Sequence, residues 1–207
     1  MLIFIDDYTR KSWVTLTKVW SALPSIFAHW KAYVELQSGF KVKAIHCDNV
    51  LEYKAMDSPI LSKEGIALEL TVVYSLWQNG VAERLNRTLV TMTRSILQYT
   101  RLPLRFWGFA VIAVYYVQNR MPIRPDGKCP KEAFTGHKVS VSHIRIFGYI
   151  IYAYISKKTR DKLKLVVKKV IFIDYLPMSK QYQLYNPVAK EILVSSTPTF
   201  KEDKFWE

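Results

Sequence analysis

The first 40 residues alternate between apolar and polar positions in patterns that predict a hairpin and a helix. Two short apolar runs, at 2–5 and 13–17, flank a polar turn and predict two paired strands. Apolar residues recur at helical spacing over 22–37, and Gly39 is a typical helix stop. These segments indicate the start of an α/β fold.

Two more strands are predicted further along, over 40–47 and 66–72. The first of them ends directly before Asp48. In α/β sheets, ligands and metal ions gather outside the carboxyl ends of strands. Asp48 is therefore a candidate metal ligand.

A long helix is predicted to begin at Asn79 or Gly80. At about 100° per residue, its apolar side chains fall within a sector of about 80°, and a set of polar side chains falls within about 60° on the opposite side. The predicted core face is Val81, Leu85, Leu89, Met92, Ile96 and Tyr99. The predicted polar face is Glu83, Arg87, Arg94, Gln98 and Arg101. This polar face is either a solvated surface with a Glu83–Arg87 pair or a surface that contacts phosphates.

A second helix is predicted over 103–120, with apolar residues on nearly every side, which is typical of a buried helix. We interpret its aromatic residues as core. The Pro and Gly content of 121–127 predicts a linker, and 130–136 predicts one or two helical turns. The remaining chain has several short β-like runs separated by turn residues, which predict a small barrel. These runs are 145–154, 166–174, 181–185 and 191–195.

The net charge of +13 and the pI of about 9.7 argue for a polyanionic partner, most simply nucleic acid. Part of this charge lies between the first two predicted barrel strands, where residues 157–169 contain seven basic residues and one acidic residue. Two cysteines are too few for a disulfide framework, which indicates a reducing, intracellular setting. No stretch approaches the ~20 apolar residues that a membrane helix needs, so no membrane partner is expected.

Asp48 and Glu83 lie 35 positions apart. The sequence motifs around them resemble the integrase core of copia-type retrotransposons, a member of the ribonuclease-H-like family. The motifs are Phe-Ile-Asp-Asp-Tyr-Thr-Arg at 4–10, Cys-Asp-Asn at 47–49 and Gln-Asn-Gly-Val-Ala-Glu-Arg-Leu-Asn-Arg-Thr at 78–88. Further motifs are Phe-Trp at 106–107, Asn-Arg-Met-Pro at 119–122, Ile-Phe-Gly at 146–148 and Thr-Phe-Lys-Glu at 199–202. They occur in the family's order along nearly the whole chain.

The resemblance implies an α/β fold: a ribonuclease-H-like mixed sheet flanked by helices, followed by a small all-β barrel of the Pol polyprotein. The implied domains are a catalytic core at 1–122, a linker at 123–139 and a barrel at 140–203. It also implies that Asp48 and Glu83 are the second and third members of a catalytic Asp-Asp-Glu trio that binds Mg²⁺ or Mn²⁺. No residue here matches the first Asp, because the strand that carries it would precede residue 1, so metal affinity is expected to be weak or lost.

The candidate nucleic-acid-binding residues are the basic side chains near Glu83 and those of the barrel loop. They are Arg84, Arg87, Arg94, Arg101, Lys157, Lys158, Arg160, Lys162 and Lys164.

Three functions compete: an active integrase that joins DNA ends, a relic of that fold that binds nucleic acid without catalysis, and a basic structural module with no specific ligand. Losing a ligand of a two-metal site misplaces the ions, and an error of ~1 Å can cost on the order of 10²-fold in rate. We therefore favour an integrase-derived nucleic-acid-binding protein, inactive by itself, with DNA as partner and a nuclear location. The family also assembles as multimers, so a homo-oligomer is expected.

Overall fold

The computed structural model describes residues 1–48, 61–70, 80–123, 125–154, 167–176, 181–196 and 198–205. Its helices and strands form two compact units, made of 1–87 with 122–139 and of 88–121 with 140–207. The helices are α1 (Leu23–Ser38), α2 (Ser62–Glu64), α3 (Gly80–Thr100), α4 (Trp107–Gln118) and α5 (Pro130–Thr135), with 3-10 turns at Trp20–Ala22 and Leu104–Phe106. The strands are β1 (Leu2–Ile5), β2 (Ser12–Thr15), β3 (Ala44–Cys47), β4 (Ala67–Leu70), β5 (Tyr149–Tyr154), β6 (Val167–Leu176), β7 (Gln181–Asn186), β8 (Glu191–Ser195) and β9 (Thr199–Phe205).

The first unit contains the predicted hairpin, β1 paired antiparallel with β2. Its turn is built on Asp6, whose carboxylate accepts hydrogen bonds from the backbone N–H and the hydroxyl of Thr9. The backbone N–H of Arg10, which has a left-handed φ of 63°, donates to the Asp6 carbonyl at 2.8 Å. The Asp-Asp-Tyr-Thr-Arg motif therefore folds as a hairpin turn.

Strands β3 and β4 pair in parallel, with Cys47 opposite Leu70 at their carboxyl ends. Helix α1 packs with both strand pairs in one hydrophobic cluster, to which Leu2 of β1 and Phe27 of α1 each contribute a buried side chain. Helix α1 ends at Gly39, as predicted, with a left-handed φ of 74°. Within the described residues, the two strand pairs are separate sheets, so a single mixed sheet stays a prediction.

A charged network joins the end of α1 to the segment that leads into β3. The Glu35 carboxylate accepts from the backbone N–H of Val42 at 2.9 Å and pairs with Lys31 and Lys41. The Val42 hydrogen bond, followed by the contact with Lys31, lowers the pKa of Glu35 to about 2. Lys31 is buried and also pairs with Glu64 of α2. This network fixes the chain just before β3, the strand that Asp48 follows.

The second unit is a five-stranded antiparallel sheet, in the order β8-β7-β6-β5-β9, packed with α4. The four predicted strands are present, although β5 begins at Tyr149 and not at 145. The fifth strand, β9, was not predicted. Helix α4 is apolar on most sides, but it starts at Trp107, after the 3-10 turn. No helix in the described part of the chain is long and apolar enough to cross a bilayer.

The Asn-Arg-Met-Pro motif at 119–122 directly follows α4, and its arginine takes part in a stack of side chains. The guanidinium of Arg120 lies 3.3 Å from the ring centroid of Tyr116, and Tyr116 stacks on Tyr175 of β6 at 4.3 Å. The Tyr116 hydroxyl also lies 2.7 Å from Nε2 of His143. Arg120 is buried in this arrangement, so it stabilises the second unit and is not a free surface charge.

Candidate nucleic-acid and metal site

Asp48 follows β3 directly, as predicted, and is half-buried. Its Oδ1 atom is buried and accepts no hydrogen bond within the described residues. An unpartnered buried polar atom costs about 1–3 kcal/mol, more when it is charged. Such an oxygen fits the needs of a hard divalent cation, which takes oxygen ligands.

The neighbouring Cys47 is a less favourable donor than Asp48 for a hard cation. Burial, and then the charge of Asp48, raises the pKa of the Cys47 thiol to about 11. A raised pKa disfavours the thiolate, which is the form that binds metals. The Asp48 carboxylate is an oxygen donor, which suits Mg²⁺ or Mn²⁺ better than zinc.

Glu83 lies in the first turn of α3 and is exposed. A carboxylate is stabilised there by the partial positive charge of the helix N-terminus. No group of three His, Cys, Asp or Glu side chains that could hold an ion occurs within the described residues. An ion shared by Asp48 and Glu83 stays a prediction.

The other acidic residues near the N-terminus are engaged elsewhere. Asp6 accepts hydrogen bonds from Thr9, and Asp7 pairs with Arg10 on the exposed side of the turn. Both carboxylates therefore serve the hairpin turn.

The polar face of α3 is solvent-exposed, as predicted. Arg87 and Arg94 of this predicted face are exposed, as are Arg84 on the adjacent side of the helix and Arg101 directly after it, and none of these arginines forms a salt bridge within the described residues. The Glu83–Arg87 pair of the solvated-surface interpretation is also missing from this set of ion pairs. Three cationic side chains of α3 and a fourth directly after it are thus exposed to an anion.

The sequence around this helix is unusually one-sided in charge. Between Glu83 and Asp126 there is no Asp, Glu or Lys, but there are seven arginines. Arg120 is buried against Tyr116, and Arg124 lies outside the described residues. The other five are exposed: Arg84, Arg87, Arg94, Arg101 and Arg105.

The predicted core face of α3 was partly wrong. Leu89 is buried, but Tyr99 is 62% exposed, and the buried positions near the end of the helix are Thr93, Leu97 and Thr100. Threonine was not counted as apolar in the pattern. It fits this interior because its hydroxyl can bond to the helix, as the Thr100 hydroxyl does with the Ile96 carbonyl at 2.8 Å.

The basic candidates of the barrel loop lie outside the described residues. They are Lys157, Lys158, Arg160, Lys162 and Lys164. At the end of the same basic run, Lys168 pairs with Glu191 of β8 at 2.9 Å. That lysine therefore stabilises the sheet.

Known proteins match this chain along its length. Residues 149–207 match the family of the retroviral polymerase SH3-like domain. The chain is 37% identical over 203 residues, or 97% of its length, to the retrovirus-related Pol polyprotein from transposon TNT 1-94 of Nicotiana tabacum. It is 26% identical over 191 residues to the Pol polyprotein from transposon RE2 of Arabidopsis thaliana. The chain spans only 15% and 13% of these two relatives.

A solved structure shares the fold. It is a chain from the cryoEM structure of the simian T-cell lymphotropic virus intasome in complex with PP2A regulatory subunit B56 gamma. The TM-score is 0.54 at 12% identity, over 96% of this chain and 70% of that one. Fold and matches together define an integrase-related region that includes a small β domain. This region is similar to part of the Pol polyproteins of plant copia-type retrotransposons.

Proposed function

We propose that this region binds DNA through the exposed arginines of α3. The proposal rests on Arg84, Arg87 and Arg94 of α3 and on Arg101 directly after it, all exposed, in a segment without acidic residues after Glu83. Arginine matches phosphate geometry with two parallel hydrogen bonds and keeps its charge at every physiological pH. A basic structural module without a ligand would be favoured by buried arginines, which is not the arrangement in α3.

The relatives and the structural neighbour support a nucleic-acid partner. The relatives are named as transposon Pol polyproteins, and the neighbour belongs to a viral intasome. The antiparallel β1–β2 pair and the parallel β3–β4 pair, which share one cluster with α1, are compatible with a ribonuclease-H-like core. A DNA partner also implies a nuclear location and, as in the family, assembly into multimers.

The proposed metal ligands are Asp48 and Glu83, which would hold Mg²⁺ or Mn²⁺ through carboxylate oxygens. The unpartnered Oδ1 of Asp48 supports this assignment. Bound divalent ions stabilise the negative charge that develops on phosphoryl oxygens during in-line transfer. Without them, the role of this chain's own residues is to bind and orient DNA phosphates.

Metal binding can be measured without any activity. We expect Mn²⁺ titration, followed by the paramagnetic resonance of free ion, to give weak binding that Asp48→Asn and Glu83→Gln each abolish. Asp7→Asn removes a carboxylate from the exposed side of the hairpin turn and is the matched control. Equal Mn²⁺ binding by the unmodified chain and by both site variants would refute the two-carboxylate site.

The 207-residue polypeptide should bind duplex DNA but join no DNA ends, even in Mn²⁺, the more permissive metal. It supplies two members of the family's acidic trio, and the reaction needs a second, well-placed ion. Binding measured by anisotropy and strand transfer measured on the same duplex separate the two claims. Strand transfer that disappears with Glu83→Gln would mean that two carboxylates suffice. Failure to bind at low salt would refute the function itself.

A further inference from the structure

The corner between α3 and α4, residues 99–107, exposes two aromatic rings that the sequence pattern assigns to the core. Tyr99 is 62% exposed and Trp107 is 50% exposed. Leu104, between them along the chain, is 78% exposed. Large exposed apolar side chains grouped in one short segment mark an interaction site more often than isolated ones do.

The corner is anchored by the residues between the exposed ones. Thr100 is buried, and its methyl group lies close to Gly148. Phe106 is buried and packs edge-on against Tyr185 of β7, with ring centroids 5.0 Å apart. The Phe106 N–H donates to the Pro103 carbonyl at 3.0 Å, which closes the 3-10 turn. The exposed rings are therefore held on a structured turn.

The charge at the corner selects the partner. Arg101 and Arg105 are exposed between the two aromatic rings, and no acidic residue lies between Glu83 and Asp126. Exposed aromatics combined with arginines are the composition of surfaces that bind single-stranded nucleic acid, where bases stack on rings and cations contact the backbone. The Arg105 guanidinium lies 5.3 Å from the ring centroid of the buried Phe106, which places this cation beside the exposed rings. An apolar protein partner would not require two exposed cations there.

Arg101 has a backbone conformation that glycine would adopt with less strain. It follows the last residue of α3 with a left-handed φ of 54°. A glycine or asparagine is the usual residue at such a helix end. An arginine is found there at the expense of stability, which is consistent with a role for its side chain.

We propose that this corner binds unpaired DNA bases, with Tyr99 and Trp107 stacking on bases and Arg101 and Arg105 contacting the adjacent phosphates. The proposal rests on the proposed function and specifies it further. Arg94 lies in the last two turns of α3, and Arg101 directly follows the last residue of the helix. Duplex DNA on the arginine face would thus lead to unpaired bases at the end of the same helix.

The test compares two probes of equal length, an oligo(dT) of about 12 nucleotides and a duplex. Alanine at Tyr99 or at Trp107 should weaken oligo(dT) binding about tenfold, because base–aromatic stacking contributes that much per base. Duplex affinity should change less than about twofold. Trp107→Phe keeps a ring and should retain most of the affinity.

Two matched controls have similar exposure elsewhere in the chain. Trp20 is 50% exposed, like Trp107, and Tyr33 is 46% exposed. Trp20→Ala and Tyr33→Ala should bind oligo(dT) like the unmodified chain. Oligo(dT) affinity that is unchanged in both corner variants, or that falls equally in the controls, would overturn the inference.

The outcome also separates this inference from the proposed function. Loss of duplex binding in Arg87→Ala/Arg94→Ala, together with unchanged oligo(dT) binding in the corner variants, would refute the corner alone. Arg101→Gly adds a test that unfolding cannot mimic, because it should raise the melting temperature while lowering oligo(dT) affinity. Unchanged affinity in a stabilised Arg101→Gly would exclude Arg101 from the site.

Discussion

Replacing Gly148 with alanine should lower the free energy of unfolding of the second unit by about 2–5 kcal/mol. Gly148 precedes β5 with a left-handed φ of 84°, and a Cβ atom there would lie 2.6 Å from Cγ2 and 2.7 Å from Cβ of Thr100. Thr100 is buried and its hydroxyl is bonded to the helix, so it cannot move away easily. Chemical denaturation followed by circular dichroism measures the change.

Gly136→Ala is the matched control for this prediction. Gly136 has a φ of 72°, but no atom lies within 4 Å of an added Cβ, so this variant carries the backbone strain alone, about 1–2 kcal/mol. Gly136 lies in the first unit, so the loss it causes is measured on that unit. The amount by which the loss in the second unit for Gly148→Ala exceeds it estimates the contribution of the contact with Thr100. Equal losses in Gly148→Ala and Gly136→Ala would mean that the close approach has no energetic consequence.

Replacing both Arg87 and Arg94 with alanine should reduce affinity for duplex DNA by about 50-fold at ~0.1 M salt, since each phosphate contact contributes close to a factor of ten there. Both arginines are exposed on α3, so the variant should fold normally. The loss should be similar for all duplex sequences, because phosphate contacts carry no base information. Anisotropy with two unrelated duplexes measures both features.

The control variant has the same net charge as Arg87→Ala/Arg94→Ala. Lys18→Ala/Lys63→Ala also removes two exposed positive charges, from the 3-10 turn region and from α2. It should weaken DNA binding by much less, because long-range attraction is screened over about 10 Å at 0.1 M salt. An equal loss in the two double variants would indicate that only total charge matters.

Elements with a clear local signal were predicted well. The Gly39 stop of α1, the start of α3 at Gly80 and the limits of β8 at Glu191–Ser195 all agree with the structure. In each case a glycine or a short apolar run with polar flanks defines the element within a few residues. Local physical chemistry is sufficient for such features.

Features that depend on distant contacts were not predicted. Tyr99 and Trp107 are apolar in pattern, yet tertiary packing leaves both exposed, while Thr93 and Thr100 are buried. Strand β9 exists through its pairing with β5, which periodicity within the segment does not reveal. Sequence periodicity indicates which side chains can be buried, but the neighbouring elements determine which of them are.

The motifs that carry the family resemblance contain both structural residues and candidate functional residues. Asp6 builds the hairpin turn, Arg120 stacks on Tyr116, and Gly148 allows close approach to Thr100. Asp48 and Glu83 have features expected of metal ligands, a buried unpartnered oxygen and an exposed carboxylate at a helix start. A shared motif is therefore not by itself evidence of a shared activity.

The salt dependence of duplex DNA binding shows whether the arginines of α3 contact phosphates. Plotted as the logarithm of affinity against the logarithm of salt concentration, the unmodified chain should give a steep line, and Arg87→Ala/Arg94→Ala should reduce its slope by about 2. The Lys18→Ala/Lys63→Ala control should keep the original slope. Parallel lines for the unmodified chain and the arginine variant would contradict the account, because they would mean that the arginine face of α3 contacts no phosphates.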